Sequence, residues 1–361
     1  MKVQFSLLYL AFFLWGCTPS CPNDDPLATF KTHLPTEWIR DTGLSTDSLG
    51  NPDFLHTVGG HLIFIEPRAE QLLLHYDPET KRCTRLLPHG KAANECMNVH
   101  QIGYYPAAEK EAFYVFDNYQ NRIFFYTLQN ELPILNHIST ILEGIKTFSF
   151  LTANKIWGCA TDSSRYVQAD TCGTIDYRFG DYQEYGLSIP IGSGLLQGLS
   201  VTNALSTKQE RYAWFSFYGI GYQILECKPD SCKIIAGTLY QLPKFQVHSN
   251  SGIDYPTFEQ NTVVGYPAVT TDGSYIYALY SGQKLQTLFE DPDRIWRSRS
   301  ICIYDWDGQP QILLQANRDL KTLAYDQTKD RLYALSLTEE GLYELVFLDL
   351  SDLRKNYSLD K

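Results

Sequence analysis

Eight histidines, nine cysteines and 41 acidic residues are the side chains of this 361-residue chain best suited to chemistry. Their spacing excludes most familiar arrangements. No G-x-S-x-G elbow exists to expose a nucleophile, and Gly192-Ser193-Gly194 reads as a turn. There is no H-E-x-x-H, no calcium-loop spacing, no phosphate-cradling glycine loop and no dinucleotide fingerprint. The histidines have no partner at i+2 or i+4, so each reads as a surface or strand residue. The cysteines lack the closely spaced pairs with neighbouring histidines that zinc requires. Setting Cys17 aside, the chain offers three local pairs that would each close a short loop: Cys83 with Cys96, Cys159 with Cys172, and Cys227 with Cys232. Cys21 and Cys302 remain over. No catalytic residue and no metal ligand is assigned, and the chain reads as non-catalytic.

The chemistry that does stand out is at the start. Lys2 followed by the apolar run Phe5 to Leu14 has the positive start and short apolar core of a secretory leader, and the run is too short to span a bilayer. The sequence Leu14-Trp15-Gly16-Cys17 resembles the lipobox of bacterial lipoproteins, in which the cysteine thiol is acylated after cleavage. Trp15 is bulkier than the residue usual there. The reading is a signal peptide over 1–16, a lipidated Cys17, and a flexible tether over 17–37 rich in proline and aspartate. Acyl chains on Cys17 would bind membrane lipid and hold the protein to the cell envelope, at the outer membrane or cell surface, without spanning it. In that compartment disulfides persist.

Composition bounds the rest. With 44% hydrophobic and 20% charged residues the chain has material for a large core. A net charge of -11 disfavours nucleic acid, which needs a basic footprint. The 25 tyrosines and 19 phenylalanines favour strands, and no long helical period is visible. Short runs such as Leu62–Ile65, Gln71–Tyr76, Ala112–Phe116, Arg122–Tyr126, Tyr212–Phe217, Tyr275–Tyr280, Ser300–Tyr304 and Arg331–Leu335 recur between turn signals.

A degenerate repeat runs through them: an apolar strand, a turn, and a strand ending in Tyr-Asp or its equivalent before a polar turn. It is seen at Tyr76-Asp77, Phe125-Tyr126, Tyr304-Asp305 and Leu348-Asp349. Units of about 40 to 50 residues are the signature of a β-propeller. The expected fold is therefore all-β: a six-bladed β-propeller of four-stranded antiparallel blades over 38–361. Its unit boundaries fall near 97, 143, 194, 263 and 316. Closure would use Trp38 to Val58 or Tyr343 to Leu348. Two insertions stand out, an elaborated loop over Leu239 to Asn261 and a second over Gly282 to Arg299.

The stretches Tyr275 to Gly282, Ile301 to Pro310 and Leu323 to Leu335 resemble the TolB-like six-bladed propeller lipoproteins of bacteria. The resemblance implies a shape and an envelope address, and little chemistry. It departs from the family pattern at Leu86 to Lys91, where a Gly-rich phrase is usual.

In a propeller, ligands meet the face where loops gather around the channel, and aromatic rings with polar partners suit a sugar or a peptide. The candidates are Tyr104, Tyr105, Trp157, Arg165, Tyr166, Tyr218, Tyr222, His248, Tyr255, Tyr266, Trp296 and Arg297, with those on the two insertions favoured. The leading expectation is a membrane-anchored binding module for a glycan, a peptide or an envelope protein. One alternative is a calcium-dependent hydrolase or lyase, its ion held in the central channel by residues such as Asp254, Asn98, Asn203 and Asp272. Those residues read more readily as turn formers, whose side chains satisfy backbone groups. A second alternative is a structural scaffold in an envelope complex.

Overall fold

The structure, a computed structural model of the chain, describes residues 25–106, 111–140, 145–160, 165–171, 174–180, 201–206, 210–228, 231–250 and 253–357. The leader, Cys17, Cys21, Cys172 and Gly192–Gly194 lie outside the described residues. The first of the described strands are β1 (His33–Thr36) and β2 (Ile39–Arg40). Four four-stranded antiparallel sheets follow. They are β3–β6 (Phe54–Val58, His61–Ile65, Gln71–Asp77, Arg82–Pro88) and β7–β10 (Val99–Tyr104, Ala112–Asp117, Arg122–Gln129, Leu132–Thr140). Next come β11–β14 (Ile145–Thr152, Lys155–Ala160, Tyr166–Asp170, Ile175–Phe179) and β15–β18 (Val201–Ser206, Arg211–Ser216, Ile220–Lys228, Ser231–Gln241). A two-stranded hairpin, β19 (Phe245–Asn250) and β20 (Ile253–Phe258), precedes β21–β24 (Ala268–Thr271, Tyr275–Tyr280, Ser298–Asp305, Pro310–Leu320). The chain ends with β25–β27 (Ala324–Asp326, Arg331–Leu337, Tyr343–Asp349) and the helix α1 (Ser351–Tyr357).

This is an all-β chain in a β-propeller arrangement of four-stranded blades. β21–β27 with β1 and β2 form one nine-stranded sheet, whose two parts meet through the pair Leu320 and Ser336. The first strands β3, β7, β11, β15, β21 and β25 neighbour one another in that order, and β25 returns to β3. Alternation explains why the strands read as unbroken apolar runs. Along β4, Leu62 and Phe64 face β26 and β27, while Ile63 and Ile65 face β8 and β9. Each sheet thus buries both faces against its neighbours. The outer strand β6, at the sheet edge, alternates with solvent instead.

The Tyr-Asp repeat has a local cause. Asp77, Asp117, Asp305, Asp326 and Asp349 each close a strand, and each turns its Oδ1 back onto a backbone N–H two residues on, from Glu79, Tyr119, Asp307, Thr328 and Ser351. The aspartate stabilises the following turn and fixes where the strand ends.

Two expectations need correction. The tether was expected to reach residue 37, but its later part belongs to the domain. Phe30 is buried against Tyr304, and β1 pairs in parallel with β24 from His33 opposite Leu313 to Thr36 opposite Ala316. A buried phenylalanine and a strand partner outweigh the proline content that reads as linker. The stretch Leu239 to Asn261 was expected to be a loop, yet it holds the β19–β20 hairpin, in register from Phe245 opposite Phe258 to Asn250 opposite Ile253. Closure is at the rim, where β2 pairs with β27. Among the described residues no helix is long and apolar enough to cross a membrane.

Candidate functional site

The first strands surround a cavity of about 1270 Å³ along the axis. They run in one sense. Lys321, ahead of β25, reaches Asp53 at the start of β3, while Gly60, just past the end of β3, lies near Thr328 beyond the end of β25. One mouth is therefore formed by the segments that lead into first strands, including Asn51, Asp53, Pro267, Lys321 and Thr322. The other is formed by their ends, including Gly59, Tyr104 and Asp272.

Both insertions rise from the first mouth. The β19–β20 hairpin precedes β21, and residues 282–297 join the end of β22 to the start of β23, a position level with the start of β21 because β22 runs antiparallel to it. The insertions are tied to each other and to the β16–β17 turn by backbone bonds. Val264 N–H donates to Gln283 O (2.8 Å), Leu285 N–H to Thr262 O (2.9 Å), and Gly219 N–H to Val263 O (2.8 Å). Gly265 permits this crossing, since a Cβ there would stand 2.4 Å from Gly219 O and 2.7 Å from Ser216 O.

Aromatic rings follow the backbone. Tyr218 stacks on Phe258 with centroids 4.2 Å apart, and Phe217 packs against Trp296 at 4.5 Å. Beneath them Phe217, Val264 and Ile295 form a small core. Trp296 keeps 38% of its surface exposed. Arg297 is buried, paired with Asp291 and donating from Nε to Asp293 O, and it braces the loop that carries Trp296. Phe217, Tyr218 and Trp296 line the cavity together with Asp293 and Lys321. Lys321 is itself buried, bonded to Asn51 Oδ1 (3.3 Å) and Asp53 Oδ1 (3.1 Å) and lying over the Tyr343 ring at 4.7 Å. Burial, then the Asp293 carboxylate, pushes the Tyr343 hydroxyl above its ordinary value. This mouth thus combines half-exposed rings with hydrogen-bonding groups held in place by neighbours.

Of the twelve sequence candidates, Tyr104, Tyr218 and Trp296 line the cavity, Tyr104 at the far mouth. Six are buried within the domain. Trp157 lies between β12 and its neighbours, Arg165 sits 3.9 Å over Trp214, and Tyr166 donates to Gln223 Oε1 (2.5 Å). Tyr222 donates to Gly308 O (2.8 Å), Tyr266 lies 3.3 Å from the Tyr304 hydroxyl, and Arg297 braces its loop. Tyr105 packs on Phe125 and Phe150, His248 is exposed on β19, and for Tyr255 the structure describes the strand alone.

Of the four calcium candidates, the side chains of Asp272 and Asn98 are described, and each is engaged within the domain. Asp272 lines the cavity, but its Oδ1 accepts from the N–H groups of Ser274 (2.7 Å) and Tyr275 (2.6 Å) and its Oδ2 from Tyr277 (2.8 Å) and Arg354 (2.7 Å). Asn98 bonds Asn118, and the side chains of Asn203 and Asp254 are not among those described. Among the described residues no three His, Cys, Asp or Glu side chains are grouped to hold a metal ion.

Three residues escaped the sequence reading. His61 and His75 stack with centroids 5.1 Å apart, His61 Nδ1 lying 3.0 Å from His75 Nε2 and His61 Nε2 2.7 Å from Glu131 Oε2. In the tautomer of neutral His61 that donates from Nε2 to Glu131, Nδ1 accepts from His75. Burial, and then the neighbouring His61, lowers His75 to about 4. Burial likewise lowers His56, in the cavity wall, to about 4. No sequence spacing signals the pair, because β4 and β5 bring together residues 61 and 75.

No protein-family model and no curated protein matches the chain. Solved structures do. A member of the DUF4221 family from Bacteroides vulgatus ATCC 8482 superposes with a TM-score of 0.52 at 11% identity, covering 86% of this chain and 94% of its own. A protein of Bacteroides fragilis NCTC 9343, named as a candidate exported protein, gives 0.49 at 9% identity, with 88% and 99% covered. At 11% identity the likeness to the first is one of fold alone.

Proposed function

We propose that this chain is a six-bladed propeller lipoprotein of the TolB-like kind, held at an extracytoplasmic membrane surface through acylated Cys17, which binds a glycan or peptide at the insertion-bearing mouth of its channel. The blade count rests on the ring of first strands and on the slender Leu320–Ser336 junction, which divides the nine-stranded sheet into β21–β24 with β1 and β25–β27 with β2. The anchoring rests on the leader and lipobox spacing.

The observation that carries the binding reading is that both departures from the repeat converge on one mouth and there leave Trp296 and Tyr218 beside the cavity. Rings presented by a braced loop lose little freedom when a ligand stacks on them, which favours binding. A screen of soluble glycans and peptides by thermal shift, followed by calorimetry on the best ligand, tests it. Trp296→Ala or Tyr218→Ala should weaken binding at least tenfold, about 1.4 kcal/mol. Binding that survives both substitutions unchanged would place the site elsewhere. For the anchor, Cys17→Ala should move the protein from the membrane to the soluble fraction; retention on the membrane would refute the lipidation.

A further inference from the structure

Near the tip of the β17–β18 hairpin, Cys227 and Cys232 stand directly opposite each other, and their sulfur atoms lie 3.6 Å apart as free thiols. The backbone fixes their relation. Cys227 N–H donates to Glu210 O (2.7 Å), on the side of β16, so toward β18 the pair is a non-hydrogen-bonded one. In such a pair the Cα atoms are about 4.5 Å apart and the side chains approach most closely. That separation lies within the range of about 4.4 to 6.8 Å that a disulfide bridges without moving the backbone. Both sulfurs also point the same way, into the cluster with Trp157, Tyr212 and Trp214.

Of the other two sequence pairings, only Cys83 with Cys96 lies wholly among the described residues, and it lacks this geometry. Cys83 is exposed on β6 opposite Tyr76, whereas Cys96 is buried among Val99, Phe113 and Phe124. Cys159 shares the cluster of Cys227 and Cys232, and Cys172 is outside the described residues.

We propose that Cys227 and Cys232 form a disulfide across the β17–β18 hairpin, with a disulfide donor as oxidant. One thiolate attacks a sulfur of the donor and displaces one donor thiolate; the second cysteine then attacks the mixed disulfide and displaces the other. The two cysteines lose two protons and two electrons, and the donor leaves as two thiols. Burial raises the Cys227 thiol above its ordinary value and so disfavours the reactive thiolate once the cluster has closed. Oxidation therefore belongs to the open hairpin, before the sheets pack. The proposal is independent of lipidation and of ligand binding.

Asp230 lies between the two cysteines, which makes the bond directly readable. The full chain is refolded from the reduced, denatured state in a glutathione redox buffer, its remaining thiols are blocked, and it is cut at aspartate. The expected result is one pair of peptides, carrying Cys227 and Cys232, that stays joined until reduced. Recovery of both peptides singly blocked, or of either joined to another cysteine, would overturn the proposal. The double variant Cys227→Ala, Cys232→Ala adds a second readout: it should melt below the wild type in the oxidised state, and reduction should lower the melting of the wild type more than that of the variant. Equal melting in the oxidised state would count against the bond.

Discussion

The two mouths of the channel are built on opposite principles. The far mouth is made of repeated parts: the aspartate turns that close β5, β23, β25 and β27, and a clasp in which Arg354 from α1 binds Asp330 and the buried Asp272. The His61–His75–Glu131 chain lies at the same end, just past the close of β3. The near mouth is made of departures from the repeat, two insertions whose backbones pair with each other and leave rings at the cavity edge. The difference teaches that one end follows the repeat while the other departs from it, and the proposed ligand site lies where the departures gather. Substitutions should accordingly change stability at one end and binding at the other.

The largest effect should come from the clasp. Arg354→Ala leaves Asp272, of which 1% of the side chain is exposed, as a buried carboxylate without its cation, at a cost of about 3–5 kcal/mol in urea unfolding. Ligand affinity at the near mouth should be unchanged under conditions where the variant is folded. A loss of affinity with intact folding would break the division between the two ends.

Acid should act next. Burial holds His75 near 4 in the folded protein, against an ordinary 6.5. Below 6.5 the unfolded chain takes up a proton that the folded protein refuses, so this contribution is whole above 6.5, declines as pH falls, and levels off near 4. The loss from this residue is at most about 3 kcal/mol. His56 titrates over the same window and adds to the slope. Urea midpoints measured across that range should fall with acid, and His75→Gln should make the curve shallower, leaving the part due to His56. A wild-type curve that is flat through the window would show that the imidazoles are not protected from protons.

The smallest effect on stability should be at the near mouth, where Trp296→Ala should change unfolding by about 0.5–1 kcal/mol while costing at least a tenfold affinity loss. Tyr104→Ala, exposed at the far mouth, is the matching control and should leave both unaltered. Equal losses of affinity from Tyr104 and Trp296 would mean that the ligand runs through the whole channel.

Much of the scaffold was legible before any coordinates. Runs such as Leu62–Ile65 and Tyr275–Tyr280 announce strands buried on both faces, and Asp77 and Asp305 mark the ends of the strands that follow them, β5 and β23. What alternation conceals is direction. Tyr218 reaches the mouth and Tyr222, four residues later, is locked between sheets, and their surroundings in sequence do not distinguish them. Pairings remote in the chain were also hidden: β1 finds β24 nearly 280 residues away, and Arg354 finds Asp272. Such contacts are decided by ring closure, which no local window contains.

The parallel pairing of β1 with β24 has a mechanical consequence. Tension transmitted along the chain ahead of Asp25 meets the buried Pro26 and the Phe30 ring seated beside Tyr304, and then the four residue pairs from His33 to Thr36. When that tension runs along β1, the four pairs bear it together in shear instead of parting one by one. The place where this domain would be tugged is also a place where it is sewn shut.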